Sequence, residues 1–393
     1  MKGRKNMTTL QDVFPKIVEW RRHLHMHPEL SFEEVATPEY IAEKLEALGL
    51  EVTTHVGGRG VVAKLHGKHD GPTIAFRADF DALPIEEEND TEYVSKNPGV
   101  MHACGHDGHT AALLGAATIL TESKDQLSGT IVFIFQHAEE LPPGGAKEMI
   151  ADGCLDGVDY IFGAHVQSGL SLGQVNVRQG PSMAAVDRFK IRIQGKGGHG
   201  AMPHTTVDSI VAGSKLVLDL QQIVARRIDP MDNAVVTVGV FEAGKAFNVI
   251  ADSSTIEGTV RTFKPETRQQ IEEDIRGIVQ GLESSNNVTC DIDYLNGYPA
   301  LVNHAEETAL IGTLIQETFG EDAWVQGQPV LGGEDFAYYL EEKPGCFFHV
   351  GSQTEEEWTT FPHHHPRFDF DERALLNIGE LFLKIAHHYL VAK

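Results

Sequence analysis

Residues 130–140 read Thr-Ile-Val-Phe-Ile-Phe-Gln-His-Ala-Glu-Glu and indicate how the chain folds. Residues 131–135 are a continuous apolar run of strand length, which is typical of a strand buried on both faces. Other strand-like apolar runs lie at residues 60–65, 73–78 and 160–164. Apolar residues recur at helical spacing over residues 9–26, 33–48 and 110–120. Strands that alternate with helices in this way predict an α/β fold with a mixed or largely parallel sheet flanked by helices.

The pattern changes after Pro181. Strand-like and helical stretches then follow in the order β-α-β-β-α-β, which is the order of a ferredoxin-like unit. These stretches are residues 189–194, 209–226, 234–240, 255–262, 266–282 and 288–294. Because the earlier alternation resumes over residues 306–388, we expect this unit to be an insertion. The predicted architecture is therefore discontinuous, with one domain at residues 1–184 and 297–393 and a second, α+β domain at residues 185–296.

The composition narrows the functional classes. With 393 residues the chain is too long for one ordinary core, so two domains are expected. Lys and Arg number 32 against 57 Asp and Glu, and the net charge of −25 opposes binding to nucleic acid or to an anionic membrane surface. No apolar run reaches about 18 residues, so we expect no membrane span, and none follows the first basic residues as in a secretory signal. Four widely separated cysteines favour a reducing, cytoplasmic setting.

A cysteine and three histidines lie together in residues 101–109, Met-His-Ala-Cys-Gly-His-Asp-Gly-His. Cys104 and His106 flank a glycine, so both side chains can turn toward one point. A thiolate and an imidazole are preferred ligands of a divalent ion such as Zn²⁺. The helix that starts near residue 110 is expected to favour the ionised thiol. The alternative is a reactive or merely buried cysteine with bystander histidines.

Four polar residues lie just beyond the ends of predicted strands, namely Asp79, Glu139, Glu140 and His165. Because sites in an open α/β sheet form outside the carboxyl ends of the strands, we expect these side chains to converge with the cysteine. Of two adjacent glutamates, one can bind a metal ion while the other accepts the proton of a bound water, as in a metallohydrolase. Taken singly, the acidic residues are equally explained as solvated strand ends, and the histidine as a buried, hydrogen-bonded one.

Six short sequence motifs occur along the chain in the order in which a known family has them. They are residues 77–84 (Arg-Ala-Asp-Phe-Asp-Ala-Leu-Pro), 101–109, 139–140, 198–204 (Gly-His-Gly-Ala-Met-Pro-His), 333–336 (Gly-Glu-Asp-Phe) and 364–368 (His-His-Pro-Arg-Phe). Together they resemble the aminoacylase/carboxypeptidase G family of co-catalytic metallopeptidases. More narrowly, they are similar to its hippurate hydrolase and auxin-conjugate amidohydrolase branch. The resemblance extends over nearly the whole chain, from His23 onward.

The resemblance implies a site for two divalent metal ions per subunit, with Zn²⁺, Mn²⁺, Co²⁺ and Ni²⁺ as the possible metals. It implies that Cys104 bridges the two ions. His106 and His165 would then bind one ion, and Glu140 and His364 the other. A bridging thiolate favours softer ions without deciding among them.

The resemblance also assigns roles beside the metal ligands. Glu139 would be the general base and acid, and Asp79 or Asp81 would orient the ligands, a support that metal sites require. In the run of histidines at 363–365, the second residue fits the family's pattern of a histidine, any residue and a proline. Its two neighbours remain open alternatives for the metal ligand.

The inserted domain has a different expected role. In the family it mediates dimerisation, so the resemblance implies a homodimer or a higher oligomer. His199 matches a histidine that reaches toward the scissile carbonyl and stabilises the oxyanion. Asn248 and Arg261 are expected to anchor the substrate, since an arginine fork suits a free carboxylate. The alternatives are an exposed histidine in a glycine-rich turn and an arginine solvated on its strand.

These observations predict a metal-dependent amidohydrolase that acts on N-acyl amino acids or related small amides through metal-activated water. The same chemistry would serve a dipeptidase or a carboxypeptidase, and the size of the substrate pocket decides between them. A metal-stabilised binding protein on a retired hydrolase scaffold is the non-catalytic alternative. A metal-independent hydrolase with Cys104 as nucleophile is the last alternative, and it predicts sensitivity to thiol alkylation without sensitivity to chelators.

Overall fold

In a computed structural model that describes residues 8–391, the apolar run at 131–135 lies within a strand of a large sheet. The helices, in chain order, are α1 (Leu10–Met26), α2 (Ala36–Ala47), α3 (His106–Glu122), α4 (Ala146–Ala151), α5 (Ser209–Arg226), α6 (Pro265–Asn286), α7 (Ala305–Phe319), α8 (Phe336–Glu342) and α9 (Ala374–Leu390). The strands are β1 (Glu51–Val56), β2 (Gly60–His66), β3 (His69–Asp79), β4 (Ser128–Gln136), β5 (Tyr160–Ser171), β6 (Val175–Asn176), β7 (Gly180–Met183), β8 (Ala185–Gln194), β9 (Gly198–His199), β10 (Ala234–Ala243), β11 (Val249–Ile250), β12 (Ser253–Thr262), β13 (Thr289–Asn296), β14 (Leu301–Asn303), β15 (Trp324–Val325) and β16 (Gly345–Gln353). Short 3₁₀ turns occur at Lys124–Gln126, Pro203–Thr205, Glu321–Ala323 and Glu357–Thr359.

Two compact units divide the described chain. The larger comprises residues 8–180, 302–328 and 335–391, and the smaller comprises Pro181–Leu301 and Pro329–Glu334. The smaller unit therefore begins before residue 185, ends after residue 296 and includes a further short segment. That segment joins it through backbone hydrogen bonds, because the Ala184 N–H donates to the carbonyl oxygen of Val330 at 3.1 Å.

The larger unit is built on an eight-stranded mixed sheet with the order β1-β2-β4-β3-β5-β16-β6-β15. Its central strands β4, β3, β5 and β16 run parallel. The pairs β1–β2, β2–β4 and β16–β6 are antiparallel, and the edge strand β15 pairs parallel with β6. Helices α1, α3 and α9 pack together, and α3 and α9 contact the sheet. Because α3 is rich in Ala, Gly and Leu and is buried on nearly all sides, it places the loop before it deep in the unit.

The smaller unit is ferredoxin-like. Its sheet has the order β10-β12-β8-β13, with every pair antiparallel, and α5 and α6 pack on it. Inward residues alternate along β8, and α6 buries Ile271, Ile275, Val279 and Leu282 at helical spacing. The unit thus has a core of its own. The α/β fold with a mixed sheet and an inserted ferredoxin-like unit is confirmed.

Residues 8–391 contain no helix of the length and apolarity that crossing a bilayer requires.

Candidate metal centre

The strand ends of the larger unit bring the expected polar residues together. β3 ends at Asp79, β4 ends just before the two glutamates, and α3 begins at His106. Between the cysteine and this helix, Gly105 adopts a left-handed conformation with φ of +93°, and a Cβ there would lie 2.4 Å from Cγ2 of Val166. Only glycine fits this turn without strain. The turn brings the sulfur of Cys104 and the ring of His106 into one cluster.

Two groups of ligand atoms share the cysteine. The first joins Cys104, His106 and His165, and the sulfur lies 3.4 Å from Nε2 of His165. The second joins Cys104, Glu140 and His364, and Oε1 of the glutamate lies 3.3 Å from Nε2 of the histidine. Within each group the ligand atoms lie within 4.8 Å of one another. This is the arrangement of two adjoining cation sites with one common ligand.

Asp81 holds two members of the cluster. Its Oδ1 lies 3.1 Å from Nδ1 of His106, and its Oδ2 accepts a hydrogen bond from the backbone N–H of Glu140 at 2.9 Å. Burial opposes ionisation of Asp81, but these bonds and the Ser31 hydroxyl lower its pKa. With Nδ1 engaged, His106 turns Nε2 toward the cluster, 3.8 Å from Oε1 of Glu140. Asp81 thus hydrogen-bonds two of the presumptive ligands, which is the position that an orienting carboxylate requires.

Asp79 contacts other groups. Its Oδ1 lies 2.6 Å from Nδ1 of His109, and its Oδ2 is paired with the guanidinium of Arg77. Burial opposes its ionisation, but His106, Arg77 and His109 outweigh burial and lower its pKa. Asp335 lies on the far side of the same arginine, 2.8 Å from Nη2. Thus Asp81, rather than Asp79, makes the hydrogen bond to Nδ1 of a presumptive ligand, because Arg77 and His109 occupy the Asp79 carboxylate.

His165 differs from the expectation in its place on the strand. We expected it to end an apolar strand at residue 164, but β5 continues to Ser171 and contains His165. The strand continues because β16 pairs with it through and beyond this residue, with His349 opposite His165. The Nδ1 of His165 donates to the carbonyl oxygen of Val166 at 2.5 Å, so Nε2 faces the cysteine.

The three consecutive histidines point to different places. His364 has φ of +64°, and its backbone N–H donates to Ala103 O at 2.8 Å, which sets its ring beside Glu140. The ring of His363 is buried and accepts from the backbone N–H of Ser168. The ring of His365 stacks on Phe361, and its Nδ1 accepts a hydrogen bond from the backbone N–H of Arg367. The described geometry therefore includes only the middle histidine of this run in a ligand group.

Glu139 is buried beside the two groups, with Oε2 at 4.0 Å from Nε2 of His106. The residue before it, Ala138, has φ of +52°, and its N–H donates to Oε1 of the buried Glu34 at 2.9 Å. Burial and the Asp81 carboxylate raise the pKa of Glu34 to about 8. Sequence reasoning missed Glu34, because a glutamate near a helix start is ordinarily a solvated residue.

The donor set fits divalent cations. Nε2 of His106 and Oε1 of Glu140 are buried and have no hydrogen-bond partner among the described residues, which is costly unless another group satisfies them. Surrounding carboxylates also favour a positive charge here: burial lowers the pKa of His106, but Asp79, Asp81 and Glu140 raise it to about 10. Thiol, imidazole and carboxylate donors are those that Zn²⁺ and similar ions select.

Burial, with the carboxylates of Glu140 and Glu139, raises the pKa of the Cys104 thiol well above its ordinary value. The expectation that the start of α3 favours the ionised thiol is therefore wrong for the thiol on its own, since burial and these carboxylates outweigh the helix terminus. The same surroundings disfavour a metal-independent cysteine nucleophile, which needs a thiolate. A cation beside the sulfur would reverse the balance.

The other expected residues lie in the smaller unit. His199 forms β9, is exposed, and accepts at Nδ1 from the Ala201 N–H at 3.0 Å, so its proton is on Nε2. Asn248 is exposed in the loop before β11. Arg261 lies on β12 and is half-buried, and it donates from Nε to Leu331 O at 3.1 Å. Their roles toward a substrate stay predictions.

Comparison with known proteins agrees with this chemistry. A family model described as peptidase family M20/M25/M40 matches residues 75–388. The N-acyl-L-amino acid amidohydrolase of Geobacillus stearothermophilus is 48% identical over 297 residues, which cover 76% of this chain and 80% of that protein. The N-acetyl-L-cysteine deacetylase of Bacillus subtilis (strain 168) is 40% identical over 390 residues, which cover 99% of this chain and 92% of that protein.

A solved structure shows the same fold. The YXEP protein of Bacillus subtilis, a dinuclear metal binding peptidase from the M20 family, superposes with a TM-score of 0.82 at 37% identity. The superposition covers 96% of this chain and 98% of that one.

Proposed function

Because this chain belongs to peptidase family M20/M25/M40, we propose that it is a metal-dependent amidohydrolase that cleaves the amide bond of N-acyl amino acids. The observation that carries the proposal is the pair of ligand groups that share Cys104, with Glu139 buried beside them. Both named relatives act on an N-acyl amino acid, as their names state.

In this proposal Cys104 would be the ligand common to two divalent ions. His106 and His165 would hold the first ion, and Glu140 and His364 would hold the second. When bound, the ions act as Lewis acids that polarise the amide carbonyl and make the attacking water acidic. Zn²⁺, Mn²⁺, Co²⁺ and Ni²⁺ are the proposed metals, and the shared thiolate favours the softer ions among them.

Glu139 moves the proton. Its carboxylate accepts a proton from the attacking water at Oε and then donates it to the nitrogen of the leaving amine. Burial beside the cluster suits this exchange, because a carboxylate shielded from bulk water retains the proton between the two steps. The turn at Ala138 and its hydrogen bond to Glu34 fix the backbone from which the Glu139 side chain extends.

The smaller unit supplies the remaining groups. We propose that Nε2–H of His199 donates to the developing oxyanion, which its tautomer permits. Asn248 and Arg261 would bind the amino-acid part of the substrate, and the guanidinium would meet its carboxylate. We further propose that this unit forms a homodimer interface and that the protein is cytoplasmic. The free cysteines of the described chain, Cys104, Cys154, Cys290 and Cys346, agree with a reducing compartment.

A hydrolysis screen tests the function. Chelator-treated protein is reconstituted with each of the four metals and assayed on N-acetyl and N-benzoyl amino acids and on dipeptides. We expect the chelator-treated protein to be inactive and to hydrolyse N-acyl amino acids again only after metal is added. Faster hydrolysis of dipeptides would make the protein a peptidase instead, and inactivity on all substrates with both ions bound would favour a binding protein.

A further inference from the structure

The strand that carries His165 loses a neighbour just before that residue. β3 pairs with β5 from Tyr160 to Gly163 and then diverges, whereas β16 stays paired on the other side. The β3–β5 ladder ends at Gly163, so β3 provides no register partner for the segment of β5 that contains the N–H groups of Val166 and Ser168. Unpaired buried N–H groups are costly, so another acceptor is required here.

Two histidine rings take the place of the missing strand. The N–H of Val166 donates to Nε2 of His109 at 2.9 Å, and the N–H of Ser168 donates to Nε2 of His363 at 3.1 Å. The two donors are two residues apart, as expected for groups on one side of a strand. Both rings also contact the ring of His165, with centroids at 4.4 Å and 5.2 Å.

The His109 ring is fixed as an acceptor. Its Nδ1 lies 2.6 Å from the Asp79 carboxylate and donates to it, so Nε2 carries the lone pair that Val166 requires. Arg77 and Asp335 hold Asp79 from behind. A series of contacts thus connects the buried Arg77 and Asp335, through Asp79 and His109, to the backbone N–H of Val166 on β5.

We propose that His109 and His363 are positioning residues that fix His165 as a metal ligand. Val166 links the two parts, because its N–H is held by His109 while its carbonyl oxygen accepts from Nδ1 of His165. Fixing the backbone of this residue keeps the tautomer and the rotation of His165 that direct Nε2 at Cys104. The proposal rests on the proposed metal-binding role of that pair and adds two histidines to which the mechanism assigns no role.

Phenylalanine and glutamine variants of both histidines test it. Phenylalanine keeps a ring but removes the acceptor, and glutamine restores an acceptor near the place of Nε2. The control is His349→Phe, since His349 has a half-buried ring 6.0 Å from that of His165 and its side chain has no described hydrogen bond to β5. Each protein is titrated with Co²⁺ while thiolate-to-cobalt absorption is recorded. Hydrogen exchange of residues 160–171 is measured on the same proteins without added metal.

We expect His109→Phe and His363→Phe to bind one Co²⁺ about 10- to 100-fold more weakly, which is the effect typical of removing a group that orients a metal ligand. Exchange in residues 160–171 should accelerate, and the glutamine variants should recover part of both properties. His349→Phe should retain wild-type affinity within about 3-fold, a margin well below that range.

The outcomes separate the two proposals. If wild-type protein gives no thiolate-to-cobalt band, the proposed metal centre fails. If wild-type protein binds Co²⁺ through the thiolate and the phenylalanine variants at His109 and His363 match His349→Phe, the positioning role is refuted. Should a phenylalanine variant lose its fold by circular dichroism, the glutamine variant decides, because it must then bind more weakly than wild type and show faster exchange.

Discussion

A buried thiol among carboxylates is the residue on which the chemistry depends. Burial and Glu140 and Glu139 raise the pKa of Cys104, so the sulfur is a poor nucleophile and a good ligand only for a cation that displaces its proton. His106 responds to the same field in the same direction, since the neighbouring carboxylates raise its pKa to about 10 although burial opposes the charge. Both shifts describe a pocket that attracts positive charge. A divalent ion would replace the two protons.

Cys104→Ala should therefore lower metal content more than the loss of an ordinary ligand would. Both ligand groups contain the sulfur, so the variant should fall from two bound ions per chain to about one or fewer, given that each site loses a ligand. Elemental analysis after reconstitution measures this. Cys154→Ala is the matched control, because Cys154 is buried outside the cluster. Unchanged occupancy in the Cys104 variant would refute bridging.

Glu139→Gln should retain the fold and both ions but lose turnover by about 10²- to 10⁴-fold, the range for removing a general acid–base. The amide keeps the size of the side chain and removes the proton-accepting oxygen. Steady-state rates and metal analysis are measured together. Glu33→Gln, at an exposed position, should leave both unchanged. Substantial activity in the Glu139 variant would exclude its assigned role.

A buried histidine near the first helix should make stability depend on pH. His25 lies between Asp107, at 2.8 Å, and Glu87, at 3.2 Å, and although burial opposes its charge the carboxylates raise its pKa to about 9. A folded pKa above the unfolded value means that the stabilisation is complete below about pH 6.5 and is lost as the pH rises through about 9.

His25→Gln should remove this pH dependence. We expect the unfolding free energy of wild type to fall between about pH 6 and pH 10 by up to roughly 3 kcal/mol more than that of the variant, from the shift in the His25 pKa. Denaturant unfolding in the presence of a chelator measures the difference without a contribution from metal binding. His66→Gln, at an exposed histidine, should behave as wild type. Parallel pH profiles for all three proteins would contradict the argument.

At the scale of elements, the turn into α3 determines the direction of two presumptive ligands. Gly105→Ala introduces a Cβ at φ of +93° and 2.4 Å from Val166, so strain and collision act together. Gly157→Ala is a matched control with φ of +74° and open space around the position. We expect the control to lose about 1–2 kcal/mol from backbone strain alone. Gly105→Ala should lose more and should also bind Co²⁺ more weakly, as followed by thermal unfolding and absorption titration.

Some elements could be predicted from the sequence and others could not. β4 contains an uninterrupted apolar run at residues 131–135, so its burial and its end shortly before the two glutamates could be recognised from the sequence alone. β16 lies between β5 and β6 in the same sheet but escaped prediction, because its apolar residues are interrupted by glycine and histidine. Without β16 as partner, β5 seemed to stop at residue 164, and the acceptors His109 and His363 had no visible purpose. The extent of β5 depends on its pairing with a strand distant in sequence, which a local pattern of residues does not show.

The candidate site also has parts that could be predicted from the sequence and parts that could not. Residue types and spacing predicted a metal cluster, because the side-chain type determines which metal ions a residue can bind. The supporting contacts depend on rotamers and backbone turns, such as the positive φ of Ala138 and His364, which neither residue favours. Glu34 could therefore be found only once the fold placed its carboxylate against the Ala138 N–H.

At the scale of the whole molecule, two units with separate cores share one chain. The core of the smaller unit is formed by β8, β12, α5 and α6 and includes none of the proposed metal ligands. The net charge of −25 is spread over the chain and draws cations while repelling anionic substrates, so a cationic side chain such as that of Arg261 is needed where a carboxylate is to bind.

Metal binding should thus protect the larger unit selectively. Addition of Zn²⁺ or Mn²⁺ to chelator-treated protein should slow hydrogen exchange in residues 101–109, 136–140, 160–171 and 363–366, because ligands fixed by a cation open less often. Exchange in α6 should stay unchanged, because its buried face packs only in the core of the smaller unit. The same titration on Cys104→Ala separates binding at the cluster from adventitious binding to surface carboxylates. Equal protection of α6 in wild type would contradict selective protection of the larger unit.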